Sequence, residues 1–268
     1  RVLARAWRPA RPVRVRVNGH WMYAQSADRL LALWLWKVGL LERSELRFLR
    51  RVVSPGETVV DVGANLGLYT VEFARLVGET GRVHAFEPAP GNASLLRKNV
   101  QSNGYRNVVV HELAVTNSSG RVDLYLSSVH QGDHRLFAPD EHRVRIEVSS
   151  CSLDDLLGGE PRVDLVKMDV QGAEPLVFGG MVNLVQKNPR ILILAEFAPT
   201  LLQAGGNDPQ TFFEGTRKLG LRVGYLDPLG KLIPFDDPLL ILNQRKRKAG
   251  PEVSLVMWRK EDPRALNG

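Results

Sequence analysis

Cysteine, long apolar runs and clustered metal ligands are all scarce in this chain of 268 residues. The single Cys151 cannot form an intrachain disulfide, which suits a cytoplasmic protein, and we expect a small buried hydrophobe rather than a nucleophile. The longest apolar stretch, residues 30–41, contains Lys37 and is too short to span a bilayer. We find neither a secretory signal nor a zinc-type Cys/His spacing. These absences predict a cytoplasmic protein without a transmembrane segment or a metal site.

Acidic residues are scarce only near the N-terminus. Residues 1–53 contain 12 Lys or Arg and 3 Asp or Glu, whereas residues 54–268 contain 24 basic and 26 acidic residues. The body of the chain is therefore not a basic, nucleic-acid-binding domain, and we expect the arginine-rich arm to be a solvated terminus. No repeat or low-complexity linker is present, so we predict an N-terminal extension over 1–53 and one domain over 54–268. The first residue is not Met, so we expect a trimmed chain. The sequence does not decide between a monomer and a homodimer.

Hydrophobic periodicity predicts an α/β fold. Strict alternation over 13–17, the Asn18-Gly19 turn signal and the segment 20–24 predict a hairpin. Strands and helices then alternate as βαβαβ up to residue 113, which implies a parallel sheet with right-handed crossovers. Val122 to Leu126 and Val144 to Val148 alternate again, so we predict an inserted β-hairpin with a long polar loop. The other predicted elements are helices over 27–38, 44–53, 67–77, 91–102, 153–157, 173–186 and 208–219, and strands over 58–62, 82–86, 108–113, 163–168, 191–195, 221–226 and 253–258.

The stretch from Thr58 to Thr70 predicts a ligand-binding strand, turn and helix. A β-branched run ends in Asp61, and Gly63 and Gly67 follow before a helical period begins. Gly63 permits a sharp turn, and Gly67 lets the helix approach the strand or a ligand closely. The free N–H groups of the helix start can bind a polar group. The cofactor-binding residues predicted here are Asp61, Gly63, Ala64, Asn65, Gly67, Tyr69 and Thr70.

An acid at the end of the next strand strengthens this prediction. Glu87, followed by Pro88, lies 26 residues after Asp61, near the spacing at which an acid binds ribose hydroxyls in dinucleotide folds. The segment 63–67 lacks the further glycine of a pyrophosphate cradle, which disfavours an NAD-linked oxidoreductase. A nucleoside without a diphosphate, such as S-adenosylmethionine, fits the pattern better.

Four sequence blocks in this order resemble the FkbM-type, S-adenosylmethionine-dependent methyltransferases, over roughly residues 40–200. They are 60–67, Ala85-Phe86-Glu87-Pro88, Leu153-Asp154-Asp155-Leu156 and 167–174, followed by Ala195-Glu196-Phe197. The resemblance implies a doubly wound, Rossmann-like sheet of seven strands whose last strand is antiparallel. It also implies methylation of a hydroxyl, although members of the family modify varied hydroxyls. One departure is Gln171, where the family usually has Glu.

Three residues are predicted to serve the transfer of a methyl group to oxygen, which requires alignment and a proton acceptor. Asp169 and Glu196 end neighbouring strands and should face one crevice, where they can reach the methionine end or the acceptor. Loop 128–142 contains three of the six histidines, and His134, oriented by a carboxylate, is the predicted general base. A metal bound by His130 and His134 is a weaker alternative because no helix places them on one face.

We therefore expect an O-methyltransferase acting on a hydroxyl of a sugar, glycan or secondary metabolite. S-adenosylmethionine would lie on the turn 63–69, with its ribose on Glu87 and its adenine near Leu113 and Ala114. Asp169 would hold the methionine end or the acceptor. The alternative is a non-catalytic nucleoside-binding or assembly module of the same fold, which Gln171 supports.

Overall fold

The computed structural model describes residues 12–24, 43–127, 132–139, 141–236 and 253–259. The strands are β1 (Val13–Val17), β2 (His20–Ala24), β3 (Thr58–Val62), β4 (Arg82–Phe86), β5 (Val108–His111), β6 (Ala114–Val115), β7 (Gly120–Leu126), β8 (Val144–Cys151), β9 (Leu165–Met168), β10 (Leu192–Phe197), β11 (Arg222–Leu226), β12 (Leu232–Phe235) and β13 (Val253–Trp258). The helices are α1 (Arg43–Val52), α2 (Leu68–Val77), α3 (Pro90–Ser102), α4 (Leu153–Leu157), α5 (Glu174–Gly179), α6 (Val182–Lys187), α7 (Pro199–Ala204) and α8 (Pro209–Lys218).

The central sheet has the order β12-β11-β13-β10-β9-β3-β4-β5 among the described strands. Strands β5, β4, β3, β9 and β10 are parallel neighbours, and β13 is antiparallel to both β10 and β11. This confirms the predicted α/β class with an antiparallel last strand. The structure adds an eighth strand, β12, at the edge of the sheet. The sequence pattern did not predict it because it contains Pro234, and proline within a sheet is found mainly in edge strands.

Side chains of the central strands alternate between two apolar cores. Val60, Val166 and Ile193 pack on one face, whereas Val59 and Leu165 pack on the other face together with α1 and α2. Both faces are covered, as a doubly wound fold requires. The alternation also places polar residues of the strands, such as Asp61 and Lys167, in register on neighbouring strands. It is this register that assembles the site.

The predicted N-terminal hairpin forms, with β1 antiparallel to β2. Its inner face contributes Val17 and Met22 to a core shared with α3. The Asn99 side chain of α3 accepts a hydrogen bond from the Tyr23 amide at 2.6 Å, and Asn103 accepts one from the Trp21 amide at 2.9 Å. The boundary between extension and domain at residues 53 and 54 stays a prediction.

The inserted hairpin is also present, as β7 antiparallel to β8, with the short β6 added in parallel.

Three predictions need correction or fall outside the described residues. The helix expected over 173–186 is two helices, because a Cβ on Gly180 would lie 2.1 Å from the Thr116 carbonyl oxygen and the chain turns there. The strand expected over 108–113 ends at His111, and α7 was not predicted. The helix expected over 27–38 lies outside the described residues.

Cys151 is buried, and burial raises the pKa of its thiol to about 11. A thiol that stays protonated fits a small core residue better than a nucleophile. In the described part of the chain, no helix is both long and apolar enough to cross a membrane.

Candidate active site

A cavity of about 610 Å³ opens at the carboxyl ends of β3, β4, β9 and β10. The chain order reverses between β3 and β9, so this is the crevice where open α/β sheets bind ligands. The volume lies in the range of small-molecule sites. Many of the predicted residues line it, namely Gly63, Asn65, Glu87, Pro88, Leu113, Ala114, His134, Asp169 and Glu196. A smaller cavity of about 40 Å³ adjoins it and is lined by Ala64 and Tyr69, among others.

The turn after β3 has the backbone that its sequence predicts. Gly63 has a φ of 75°, and a Cβ there would lie 1.9 Å from the Asp169 carbonyl oxygen, so only glycine fits. The Gly63 and Ala64 amides donate to the Phe86 carbonyl at 3.0 and 2.9 Å, which ties the turn to the end of β4. Asn65 has a φ of 51°, and its Oδ1 is buried without a partner among the described residues. A buried acceptor beside a cavity fits a ligand that donates a hydrogen bond.

Asp61, Thr70 and Gly67 support this turn from behind. Asp61 is completely buried, and its Oδ2 accepts a hydrogen bond from Thr70 Oγ1 at 2.6 Å. Burial raises the pKa of Asp61, while the charge of Lys167 acts in the opposite direction. A Cβ on Gly67 would lie 2.3 Å from Leu96 of α3. These contacts join β3, α2 and α3, and the direct contact of these three residues with the cofactor stays a prediction.

Glu87 faces the cavity from the end of β4. Its Oε2 accepts a hydrogen bond from the Asn65 amide at 2.8 Å, and its Oε1 accepts one from the Ala89 amide at 2.9 Å. Burial raises the pKa of Glu87 to about 7, although these hydrogen bonds oppose the shift. The Asn92 side chain donates a third hydrogen bond, and the fixed carboxylate keeps acceptor capacity for neighbouring hydroxyls. This is the geometry expected of a ribose-binding acid.

The part of the cavity beyond Glu87 is apolar. Pro88, Leu113 and Ala114 line it, together with Leu124 of β7 and Leu136. Leu124 and Ala114 also pack in one small core with Leu136 at its margin. The inserted hairpin thus completes a wall that suits a flat aromatic base.

At the other side of the cavity, Gln171 joins two carboxylates. Its Nε2 donates to Asp169 Oδ1 at 2.8 Å and to Glu196 Oε2 at 2.9 Å. Lys167 Nζ lies 3.8 Å from Asp169 Oδ2. A glutamate at position 171 would bring three carboxylates together, whereas the amide gives each acid a donor. Among the described residues, no group of three or more His, Cys, Asp or Glu side chains could hold a metal ion.

The loop after β9 is shaped from below by Glu174. This side chain is buried and accepts hydrogen bonds from the Val170 amide at 3.2 Å and the Gly172 amide at 3.0 Å. Burial raises the pKa of Glu174 to about 7. Gly172 has a φ of 99°, and a Cβ there would lie 2.6 Å from the Leu201 carbonyl oxygen. The Gly and Glu of this motif therefore fix the loop that presents the catalytic candidates.

Sequence reasoning missed Lys167 and Glu45. Lys167 is 4% exposed, and its Nζ lies 4.4 Å from the centre of the Tyr69 ring. The Tyr69 hydroxyl donates to Glu45, which also accepts from the Ser254 hydroxyl, and both Glu45 and Ser254 line the cavity. Lys167 had a sequence signal, since it stands two residues before Asp169 and shares its side of the strand. Glu45 had none, because α1 is brought to the site only by the fold.

His134 lines the cavity, but not in the predicted bonding pattern. The Ser127 amide donates to its Nδ1 at 3.1 Å, so the neutral ring carries its proton on Nε2 and presents a donor there. Asp133, the carboxylate beside it in the chain, pairs with Arg135 at 2.7 Å and with Arg143 at 2.6 Å. Two charged donors compete better for a carboxylate than an imidazole does. The role of His134 as general base stays a prediction, and the geometry favours hydrogen-bond donation.

Residues 132–136 form a fixed wall. Tyr125 of β7 and Arg135 exchange backbone hydrogen bonds of 2.8 and 3.2 Å. The Arg143 side chain is only 3% exposed and donates to both the carboxylate and the carbonyl oxygen of Asp133. His142 is exposed, and His130 lies outside the described residues.

The doubly wound sheet, the glycine turn after β3 and the acids at the ends of β4 and β9 are features of the Rossmann-like fold of S-adenosylmethionine-dependent methyltransferases. Within that class, the chain belongs to the FkbM methyltransferase family, because residues 61–225 match the family model for the methyltransferase FkbM domain. This confirms the family, the cofactor and the enzyme class predicted from the sequence.

Curated relatives match parts of the chain. It is 28% identical over 160 residues to the hexuronic acid methyltransferase AglP of Haloferax volcanii, covering 57% of this chain and 62% of the relative. It is 30% identical over 159 residues to the 2-O-methyltransferase NoeI of Sinorhizobium fredii, covering 51% and 64%. The 31-O-demethyl-FK506 methyltransferase FkbM of Streptomyces tacrolimicus is 41% identical over 87 residues, covering 32% and 28%. The chain thus spans less than two thirds of each of these relatives.

A solved structure has a similar fold. A protein assigned as an rRNA methylase from Clostridium thermocellum matches with a TM-score of 0.51 and 12% identity, over 81% of this chain and 94% of that chain. At this identity the likeness concerns the fold alone.

Proposed function

We propose that this protein is an S-adenosylmethionine-dependent O-methyltransferase that methylates a hydroxyl of a sugar or glycan. The observation that carries the proposal is one cavity with two chemically different ends. Glu87 and an apolar wall lie at one end, and Asp169, Gln171 and Glu196 lie at the other. A nucleoside cofactor and a hydroxyl acceptor can therefore meet between them.

Residues of the first end would hold the cofactor. Glu87 would accept hydrogen bonds from the ribose hydroxyls, and Asn65 Oδ1, which is buried and unpaired among the described residues, would accept another from the ligand. Pro88, Leu113 and Ala114 would pack against the adenine. Once bound, S-adenosylmethionine supplies an activated methyl group on a positively charged sulfur.

Residues of the second end would hold the acceptor and its proton. We assign the proton to Asp169, which the Lys167 ammonium and the Gln171 amide hold in place. Glu196 would accept a hydrogen bond from a neighbouring hydroxyl, and His134 Nε2 would donate one. A sugar offers several adjacent hydroxyls, so it can use this spread of donors and acceptors. The other residues that line the cavity would exclude water from the reacting atoms.

The name of AglP, a hexuronic acid methyltransferase, agrees with a carbohydrate acceptor, and the name of NoeI, a 2-O-methyltransferase, agrees with transfer to oxygen. The non-catalytic alternative has less support, because Gln171 leaves both carboxylates paired and in place.

The test is transfer of labelled methyl from S-adenosylmethionine to a panel of uronic acid oligosaccharides, neutral oligosaccharides and macrolide alcohols. We expect label on an oligosaccharide hydroxyl, and we expect D169N to lose transfer while it still binds the cofactor. Binding of S-adenosylmethionine without transfer to any member of the panel would favour the non-catalytic alternative.

A further inference from the structure

The outer face of the β1–β2 hairpin consists of cationic and aromatic side chains. Arg14 pairs across the strands with Tyr23, and Arg16 pairs with Trp21, so the four side chains share one side of the hairpin. The Arg14 guanidinium carbon lies 3.9 Å from the centre of the Trp21 ring, and that of Arg16 lies 5.8 Å from it. From α3, Lys98 adds an ammonium 3.8 Å from the centre of the Tyr23 ring. These five residues are called the hairpin face below.

The hairpin face is open to solvent. Arg14, Arg16 and Lys98 are exposed, and Trp21 is 39% exposed. Within the part of the chain that the structure describes, none of the three cations pairs with a carboxylate. The inner face of the hairpin packs into the core, and of the outer face only Tyr23 also packs against it. The packing of the core therefore does not account for Trp21 and the two arginines on the outer side.

The stacking on Trp21 prepares Arg14 for a carboxylate, and Arg16 lies near the same ring. A guanidinium lying on an aromatic ring keeps its N–H edge available for a two-point contact with a carboxylate. Because the ring already restricts the side chain, less conformational freedom is lost when an anion binds. The exposed edges of Trp21 and Tyr23 offer apolar surface beside these charges, which suits a ligand that alternates C–H faces with acidic groups.

The hairpin face also adjoins the candidate active site. Tyr23 lines the smaller cavity together with Gly63, Lys167 and Asp169, and these three also line the main cavity. A chain bound on the hairpin face would therefore approach the acceptor end, beside Asp169. This position distinguishes an extended substrate from an unrelated partner.

We propose that the hairpin face binds acidic sugar units of the methyl acceptor, an anionic glycan, next to the unit that is methylated. This inference rests on the proposed function. A nucleic acid would share the negative charge, but residues 54–268 carry a slight excess of acidic residues, and the net positive charge of the chain comes from residues 1–53.

The test measures binding of an oligogalacturonate to the full chain by calorimetric titration. A malto-oligosaccharide of the same length serves as the neutral ligand, and an oligothymidylate serves as the nucleic acid. We expect the oligogalacturonate to bind best and R14Q/R16Q to weaken it by about tenfold or more. R14K/R16K keeps the charge but lacks the guanidinium that contacts a carboxylate at two points, so we expect an intermediate loss of affinity. K218Q/R222Q removes the same charge from exposed positions elsewhere and should bind like the wild type.

Equal affinity of the wild type and R14Q/R16Q, an equal loss in K218Q/R222Q, or tighter binding of the oligothymidylate would each overturn the proposal. Titration with S-adenosylmethionine separates it from the proposed function. If the wild type does not bind this cofactor, the proposed function fails. If all variants bind S-adenosylmethionine equally and the hairpin substitutions do not change the affinity for the oligogalacturonate, only the proposal for the hairpin face fails.

Discussion

Gln171 Nε2 lies 2.9 Å from Glu196 Oε2, and the same nitrogen lies 2.8 Å from Asp169 Oδ1. One amide thus joins the ends of the neighbouring strands β9 and β10 at the wall of the cavity. Gln171 stands where the FkbM pattern usually has Glu, and in this chain its task is to donate a hydrogen bond to each acid. The departure from the pattern is therefore compatible with an assembled site.

Removal of this amide should impair turnover more than cofactor binding. Q171A leaves two carboxylates without their common donor, so we expect kcat to fall by roughly tenfold or more while the affinity for S-adenosylmethionine stays within about twofold. Steady-state kinetics and titration provide the two readouts, and Q203A, at an exposed glutamine, is the control. An unchanged kcat in Q171A would remove the positioning role.

Restoration of the family residue should make the site responsive to cations. Q171E places a third carboxylate beside Asp169 and Glu196, and oxygen-rich clusters of this kind bind Mg²⁺ or Ca²⁺. We expect either ion to raise the Tm of Q171E by a few degrees, as ligand linkage requires, with no such rise in Q171A. Thermal scans with and without chelator measure this. Equal responses of the two variants would contradict the predicted cluster.

The structure changes the expected effect of His134. If Nε2 donates to the acceptor, H134A should lower kcat by about tenfold and keep the shape of the pH–rate profile. A loss of about 10²-fold or more, together with disappearance of one limb of the profile, would instead establish the general base predicted from the sequence.

A histidine pair away from the cavity predicts acid sensitivity of the fold. His111 stacks on Phe86 and His84, and burial lowers the pKa of His111 to about 4, with the charge of His84 acting in the same direction. The unfolded chain, with a histidine pKa near 6.5, binds more protons between these values, so stability should fall as the pH decreases from about 6.5 to about 4. H111F should flatten this part of the profile of unfolding free energy. A profile with the same slope in H111F would assign the loss to other groups.

Local patterns sufficed for one central strand and for both hairpins. The β-branched run ending in Asp61, the Asn18-Gly19 turn and the alternation around Leu124 all predicted elements that the structure contains. Each of these signals depends on neighbouring residues alone.

Contacts between distant segments could not be predicted in this way. Gln171 and Glu196 are 25 residues apart, and their bond depends on which strands become neighbours in the sheet. The pairing of Asp133 with Arg143, rather than with His134, depends on how β8 returns beside the loop. The strand β12 forms only because β11 offers an edge. Residue types were thus predictable at the site, whereas their partners were not.

The most direct test of the account is a titration with S-adenosylmethionine at pH values between 6 and 8. Ribose hydroxyls would favour the ionised form of Glu87, whose pKa burial raises to about 7, so the affinity should increase as the pH rises through 7. E87A should bind at least about tenfold more weakly, E87Q should lose the pH dependence, and NAD should not compete. E112Q, at an exposed acid, should behave like the wild type. Unchanged affinity in folded E87A, or equal binding of NAD, would contradict the account.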